Sequence, residues 1–255
     1  MRFQDKVVVI TGTAGGQGRE AAIRFAQEGA IVAGCDFNSS GNDETAKLVT
    51  AAGGKMIAHS PINLTVESEV ATWIADVVAQ VGKIDVLYAN AGATKFSPVA
   101  DTTFEDWKFV IQHELDVVFL PVKHAWKHLI ETKGNVILIG STAGVSGSVT
   151  NTRVAHSASK GGVIAMGRQL AGEGARHGIR VNTVSPGMIR TPATENDLLA
   201  ADHPMHDIER AIPLGRIGTS ADVVNCSLFL ASDDASYVTG VNLMVDGGWS
   251  AVLPG

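Results

Sequence analysis

Val7-Val8-Val9-Ile10-Thr11-Gly12-Thr13-Ala14-Gly15-Gly16-Gln17-Gly18 is the stretch on which the fold turns. Four consecutive apolar residues, three of them valine, fit a strand buried on both faces better than one with a wet side, as in a parallel sheet covered by helices. A glycine cluster follows at once, and then a helical pattern over residues 19–28. Similar β-rich runs recur at 30–35, 84–89, 135–140, 179–184 and 241–245, separated mostly by amphipathic stretches long enough for helices. Alternating β and α of this kind predicts an α/β fold built on a doubly wound parallel sheet with right-handed crossovers.

Composition narrows the partners. The 255 residues are 45% hydrophobic, enough for a sizeable core. A formal net charge of −6, with no Lys/Arg-rich run, argues against a nucleic-acid or anionic-membrane surface and points to a small-molecule substrate. Neither Cys35 nor Cys226 belongs to a CxxC or a His/Cys cluster, so both are expected to be reduced and buried, as in a cytoplasmic protein. Neither a signal-peptide segment nor an apolar run of membrane-spanning length is seen. No repeat or linker marks a boundary, so one domain is expected over residues 1–255. Residues 192–213 carry three prolines and two histidines and no strand signal, and they follow a strand's carboxyl end. They are the candidate substrate lid.

Strand, glycine turn and helix in this order can cradle a pyrophosphate, because glycine lets the backbone approach and the helix start offers free N–H groups. The spacing is TGxxxGxG, and Gly16-Gln17-Gly18-Arg19-Glu20-Ala21 also satisfies the GxGxxA variant. The second strand ends at Cys35-Asp36, where a carboxylate about 20 residues on would accept hydrogen bonds from ribose hydroxyls. The same carboxylate would repel a 2′-phosphate, and neither Gly15 nor Phe37 supplies a cation. NAD is therefore expected over NADP.

With these features in order, the chain resembles the short-chain dehydrogenase/reductase family over essentially its whole length. The likeness rests on Thr11-Gly12 through Gly18, Asn90-Ala91-Gly92, Gly140-Ser141, Pro186-Gly187-Met188-Ile189-Arg190-Thr191 and Val245-Asp246-Gly247-Gly248. It implies a Rossmann-like domain. It also implies a cofactor site drawing on Gly12, Gly16, Gln17, Gly18, Asp36, Phe37, Asn63, Leu64, Asn90, Ala91, Gly92, Lys160, Pro186, Gly187, Ile189 and Thr191, with no metal. Asn63 stands where the family more often has Asp. A homo-oligomer, dimer or tetramer, is implied by the resemblance only.

The family pairs a Tyr with a Lys four residues later. Here the segment reads Ala155-His156-Ser157-Ala158-Ser159-Lys160, so the Tyr position is His156. The i, i+4 spacing keeps His156 and Lys160 on one helix face. An imidazole titrates near 6.5 without help, and Lys160 should favour its neutral form, which suits alcohol oxidation. The family's relay Asn falls on Glu114, which could extend a proton relay, pair with Lys160 or act as a base. Ser141 is the expected binder of the substrate oxygen, preferred over Ser146 and Ser148. The alternative readings are a non-redox lyase, hydratase or dehalogenase using Glu114 and His156, and a catalytically silent NAD sensor. A hydrolase triad of Ser141, His156 and Glu114 lacks the GxSxG elbow. His124 and His128 share a helix face without a third metal ligand in view.

Overall fold

The computed structural model describes residues 1–252. Its elements run β1 (Val7–Thr11), α1 (Gly16–Gln27), β2 (Ile31–Cys35), α2 (Ser39–Ala51), β3 (Lys55–His59), α3 (Glu67–Val81), β4 (Val86–Ala89) and α4 (Phe104–Ile111). A π-helical turn at Gln112–Asp116 leads into α5 (Val117–Thr132), β5 (Asn135–Ile139), α6 (Val154–Ala175) and β6 (Arg180–Pro186). Short β7 (Ile189–Arg190), α7 (Pro192–Asn196) and β8 (Gly218–Thr219) precede α8 (Ser220–Ala231) and β9 (Asn242–Val245). Seven strands form one parallel sheet in the order β3-β2-β1-β4-β5-β6-β9, giving a single α/β domain.

The continuous apolar strands are explained by two cores. Val8 and Ile10 of β1, with Ile137 and Ile139 of β5, pack under α1 and α8, whereas Val9, Val136 and Leu138 face the layer of α3, α5 and α6. Both faces are dry, so no polar alternation survives. A smaller cluster of Met188, Met205, Ile212 and Ile217 lies under residues 192–213, which form α7, turns and a 3-10 turn at Ile208–Ala211.

The sequence pattern missed β3, an edge strand that opens on Lys55 after Gly53-Gly54 and has no fully buried residue. It also missed the two-residue pair β7 and β8. Helix α1 starts at Gly16 rather than Arg19, so the end of the glycine turn is already its first turn. Cys35 is buried as expected, but Cys226 is only half-buried, because it lies on the flank of α8; both are free thiols. Among the described residues no helix is long and apolar enough to cross a membrane.

Strand order reverses between β1 and β4, and ligands of open α/β sheets bind outside the carboxyl ends at such a point. The ends of these strands are tied together there. Thr11 Oγ1 accepts from the backbone N–H groups of Asn90 (2.9 Å) and Ala91 (3.0 Å), and Asn90 Nδ2 donates to Thr11 O at 3.1 Å.

Candidate active site

Two cavities open at this reversal. The larger, about 650 Å³, is lined by Gly12, Gly15, Gly16, Gln17, Asp36, Phe37, Asn63, Leu64, Asn90, Ala91, Gly92 and Thr191, together with residues the sequence did not single out, such as Ile62, His113, Val117 and Ala193. Its floor is backbone. Gly12 has φ +77°, and a Cβ there would lie 2.9 Å from Ala91 Cα. A Cβ on Gly18 would overlap the Gly12 carbonyl oxygen, so Gly18 serves close packing behind the floor and does not line the cavity. Helix α1 begins without a side-chain cap or an acidic first-turn residue, so its free N–H groups are available to an anion.

Asp36, at the end of β2, is held in place by two backbone donors. Ala14 N–H reaches Oδ2 at 2.8 Å and Asn38 N–H reaches Oδ1 at 2.8 Å. A carboxylate has lone pairs beyond these two bonds. Arg19 lies outside the lining; its guanidinium is spent on Thr45 Oγ1 and the carbonyls of Ala14 and Gly41. Asn63 turns its carbonyl oxygen back onto Thr65 N–H (3.0 Å) and the Thr65 hydroxyl (2.8 Å), so its free group is the amide donor. Glycine floor, helix start and ribose-distance carboxylate together fit a dinucleotide.

The second cavity, about 320 Å³, adjoins the first and shares Gln17, Gly92, Thr191 and Ala193 with it. Glu114, Ser141, His156, Gly187, Ile189, Asn151, Arg153 and Trp249 are among its walls. His156 sits in the first turn of α6, and its Nδ1 lies 2.7 and 2.9 Å from the two oxygens of Glu114. Glu114 is 3% exposed and also accepts from the Ser159 hydroxyl. The π turn carries Glu114 inward, in keeping with the frequent occurrence of such turns at functional sites. A carboxylate accepts here, so Nδ1 is the donor, and in the neutral ring Nε2 is then the nitrogen with the lone pair.

This corrects one expectation. Glu114 makes no direct ion pair with Lys160; it holds His156. The Lys160 ammonium instead donates to Ile139 O at 3.1 Å, beside Gly92. Burial pushes the Lys160 pKa below its ordinary value, while the nearby Glu114 charge opposes the shift. Ser141 Oγ accepts from Ala143 N–H at 3.1 Å, which leaves its hydroxyl proton for the cavity. Pro186, expected at the cofactor, is instead the last residue of β6, paired with Val245 and outside both cavities. Lys160 also lies behind the walls rather than in them. His124 faces Glu67 across the α3–α5 surface.

Comparison with known proteins agrees with this geometry. Residues 12–250 match the family model described as Enoyl-(Acyl carrier protein) reductase. The chain is 37% identical over 249 residues to the 3-oxoacyl-[acyl-carrier-protein] reductase FabG of Thermotoga maritima, covering 97% of this chain and 99% of that one. It is 35% identical over 251 residues to meso-2,3-butanediol dehydrogenase of Serratia marcescens, covering 98% and 97%. A solved Burkholderia xenovorans structure assigned to the short-chain dehydrogenases/reductases superposes with a TM-score of 0.94 at 35% identity, over 99% of each chain. The chain belongs to the short-chain dehydrogenase/reductase family. Its relatives being reductases and dehydrogenases, it is an oxidoreductase.

Proposed function

We propose that this enzyme is an NAD-dependent dehydrogenase of small secondary alcohols in which a His156–Glu114 dyad takes the place of the family's tyrosine and relay asparagine. The observation that carries this reading is the contact of Glu114 with His156 Nδ1 at 2.7 Å. The two departures from the family pattern touch each other. An imidazole needs a partner that fixes its tautomer, and a carboxylate on Nδ1 both does so and stabilises the ring once it is protonated.

The bound nicotinamide supplies the hydride acceptor. Ser141 donates its hydroxyl proton to the substrate oxygen and orients it. His156 Nε2 takes the alcohol proton, and Glu114 balances the resulting charge. The Lys160 ammonium, fixed by Ile139 O close behind Gly92 at the seam of the two cavities, would turn its remaining N–H groups to the nicotinamide ribose. Asp36 selects the unphosphorylated adenosine ribose, since a 2′-phosphate beside it would face a like charge with no Lys or Arg among the described lining residues. Residues 192–213 act as the substrate lid, seated through Met205 and Ile212 on an apolar cluster shared with Met188, Ile217 and Trp249. The same reading takes the protein as a cytoplasmic homo-oligomer, dimer or tetramer, to be checked by light scattering. The decisive assay is NADH formation from NAD and a panel of secondary alcohols at pH 8. Silence across the panel, with product formed at unchanged nicotinamide absorbance, would favour a non-redox reaction instead.

A further inference from the structure

Buried polar atoms without partners are uncommon in folded proteins and point to something a site awaits. Among the described residues three such atoms, Gln17 Oε1, Thr94 Oγ1 and Arg153 Nε, belong to walls of the smaller cavity. Arg153 is also the one Lys or Arg among the described residues that line it. Its guanidinium forms no ion pair and donates no hydrogen bond among the described residues.

The contrast with Arg180 shows how unusual this is. Arg180 is similarly half-buried, yet it donates to the carbonyls of Leu230, Val238 and Ser232 at 2.7 to 3.2 Å. Arg19 is satisfied in the same way. Arg153 Nε is buried without a partner among the described residues, and burial holds the side chain's pKa below the ordinary value. It sits at the N-cap of α6, three residues before His156, on a helix start without a side-chain cap or an acidic first-turn residue. The local potential is therefore doubly positive. Of the two carboxylates in the cavity wall, Glu114 is engaged by His156 and Ser159, and Asp197 is exposed and beyond 4 Å of Arg153.

We propose that Arg153 binds the carboxylate of the substrate, so that the alcohol oxidised is a small secondary hydroxy acid; this rests on the dehydrogenase reading above. A guanidinium fork matches a carboxylate with two parallel N–H···O bonds. In the reaction the carbinol C–H leaves as hydride to the oxidised nicotinamide and the O–H proton leaves to His156 Nε2. The C=O bond of the oxo acid forms as they go, and the carboxylate stays unchanged on Arg153.

The test compares NAD-dependent oxidation of 2-, 3- and 4-hydroxy acids of four or five carbons with that of 2-butanol and 2,3-butanediol. Calorimetry of butyrate with the protein–NADH complex runs beside it. Wild type is expected to favour an acid. Arg153→Met should lose about 10²-fold in kcat/KM on that acid, chiefly through KM, while changing the uncharged alcohols less than threefold. Arg153→Lys should recover part of the loss. Butyrate should bind wild type and not Arg153→Met, and Asp197→Ala should not weaken it. Equal losses on acids and neutral alcohols, or oxidation of neutral alcohols without acid turnover or butyrate binding, overturns the proposal. Markedly tighter butyrate binding by Asp197→Ala would identify Asp197 as the group that occupies Arg153 and overturn it as well. Butyrate binding that depends on Arg153, without turnover of any alcohol, supports the anion site and fails the dehydrogenase reading instead.

Discussion

Around β1 and β2 the chain offers a ligand mostly backbone, a floor of Gly12, Gly15 and Gly16 with a bare helix start and one carboxylate, Asp36, held by two N–H groups. Across the strand-order reversal, around β5 and α6, it offers side chains: His156 against Glu114, Ser141 at a tight turn, Arg153 without a partner among the described residues. A backbone floor tolerates little variation, because any Cβ at Gly12 or Gly18 meets neighbouring main chain. A site of side chains can be rebuilt by exchanging two residues together, as the proposed His156–Glu114 dyad would require.

The comparison breaks most visibly at His156. His156→Phe should cut NADH formation by about 10³-fold or more while leaving NADH affinity, read by fluorescence titration, within about threefold. Retained turnover would return the proton-handling role to Glu114. Glu114→Gln should lower kcat by about 10²-fold, since an amide fixes the imidazole less firmly and cannot balance its charge. If kcat holds and only thermal stability falls, the pair is structural. On the other side of the reversal, Asp36→Ala should weaken NAD binding about tenfold and relax discrimination against NADP, both measurable by calorimetry; unchanged selectivity would remove the argument for NAD. Gly18→Ala probes the backbone floor itself. It should cost about 1–3 kcal/mol of stability in urea melts, because the main chain must move to admit the methyl group.

The smallest effect lies far from both cavities. Asp222 caps α8 through Thr219 and pairs with Arg216, and these contacts hold its carboxyl well below the usual carboxylate range. A carboxyl depressed in the fold stabilises above its unfolded pKa and loses that contribution as the pH falls through the folded one. The stability excess of wild type over Asp222→Asn should therefore be about 1 kcal/mol at pH 7 and shrink progressively below about pH 4, with turnover unaffected at neutral pH.

The glycine end of the molecule was legible because special backbone geometry leaves few residue choices. Gly12, Gly16 and Asp36 could be placed from spacing alone. The approximate places of the apolar strands were equally clear, since covering both faces leaves runs such as residues 136–139 wholly apolar. Edge strand β3 was hidden because none of its residues is fully buried and it opens on a lysine. At the proposed catalytic end, Ser141, His156 and Glu114 could be named from the family pattern, but not the contact of His156 with Glu114, which depends on a π turn that no periodicity announces. Arg153 gave no signal at all. A lone arginine before a helix reads as a solvated charge until the structure shows that nothing answers it.

The π turn also fixes a mechanical phase between α4 and α5. A regular α-helix advances about 100° per residue, so trimming one residue from Gln112–Asp116 would restore an unbroken spiral and swing one of the two flanking helices by that angle about its axis. Either Glu114 would leave His156, or Val117 and Val118 would leave the core they share with β5. Chain length in this segment is therefore a tighter constraint than residue identity, and natural length variation should fall in the neighbouring surface loops instead.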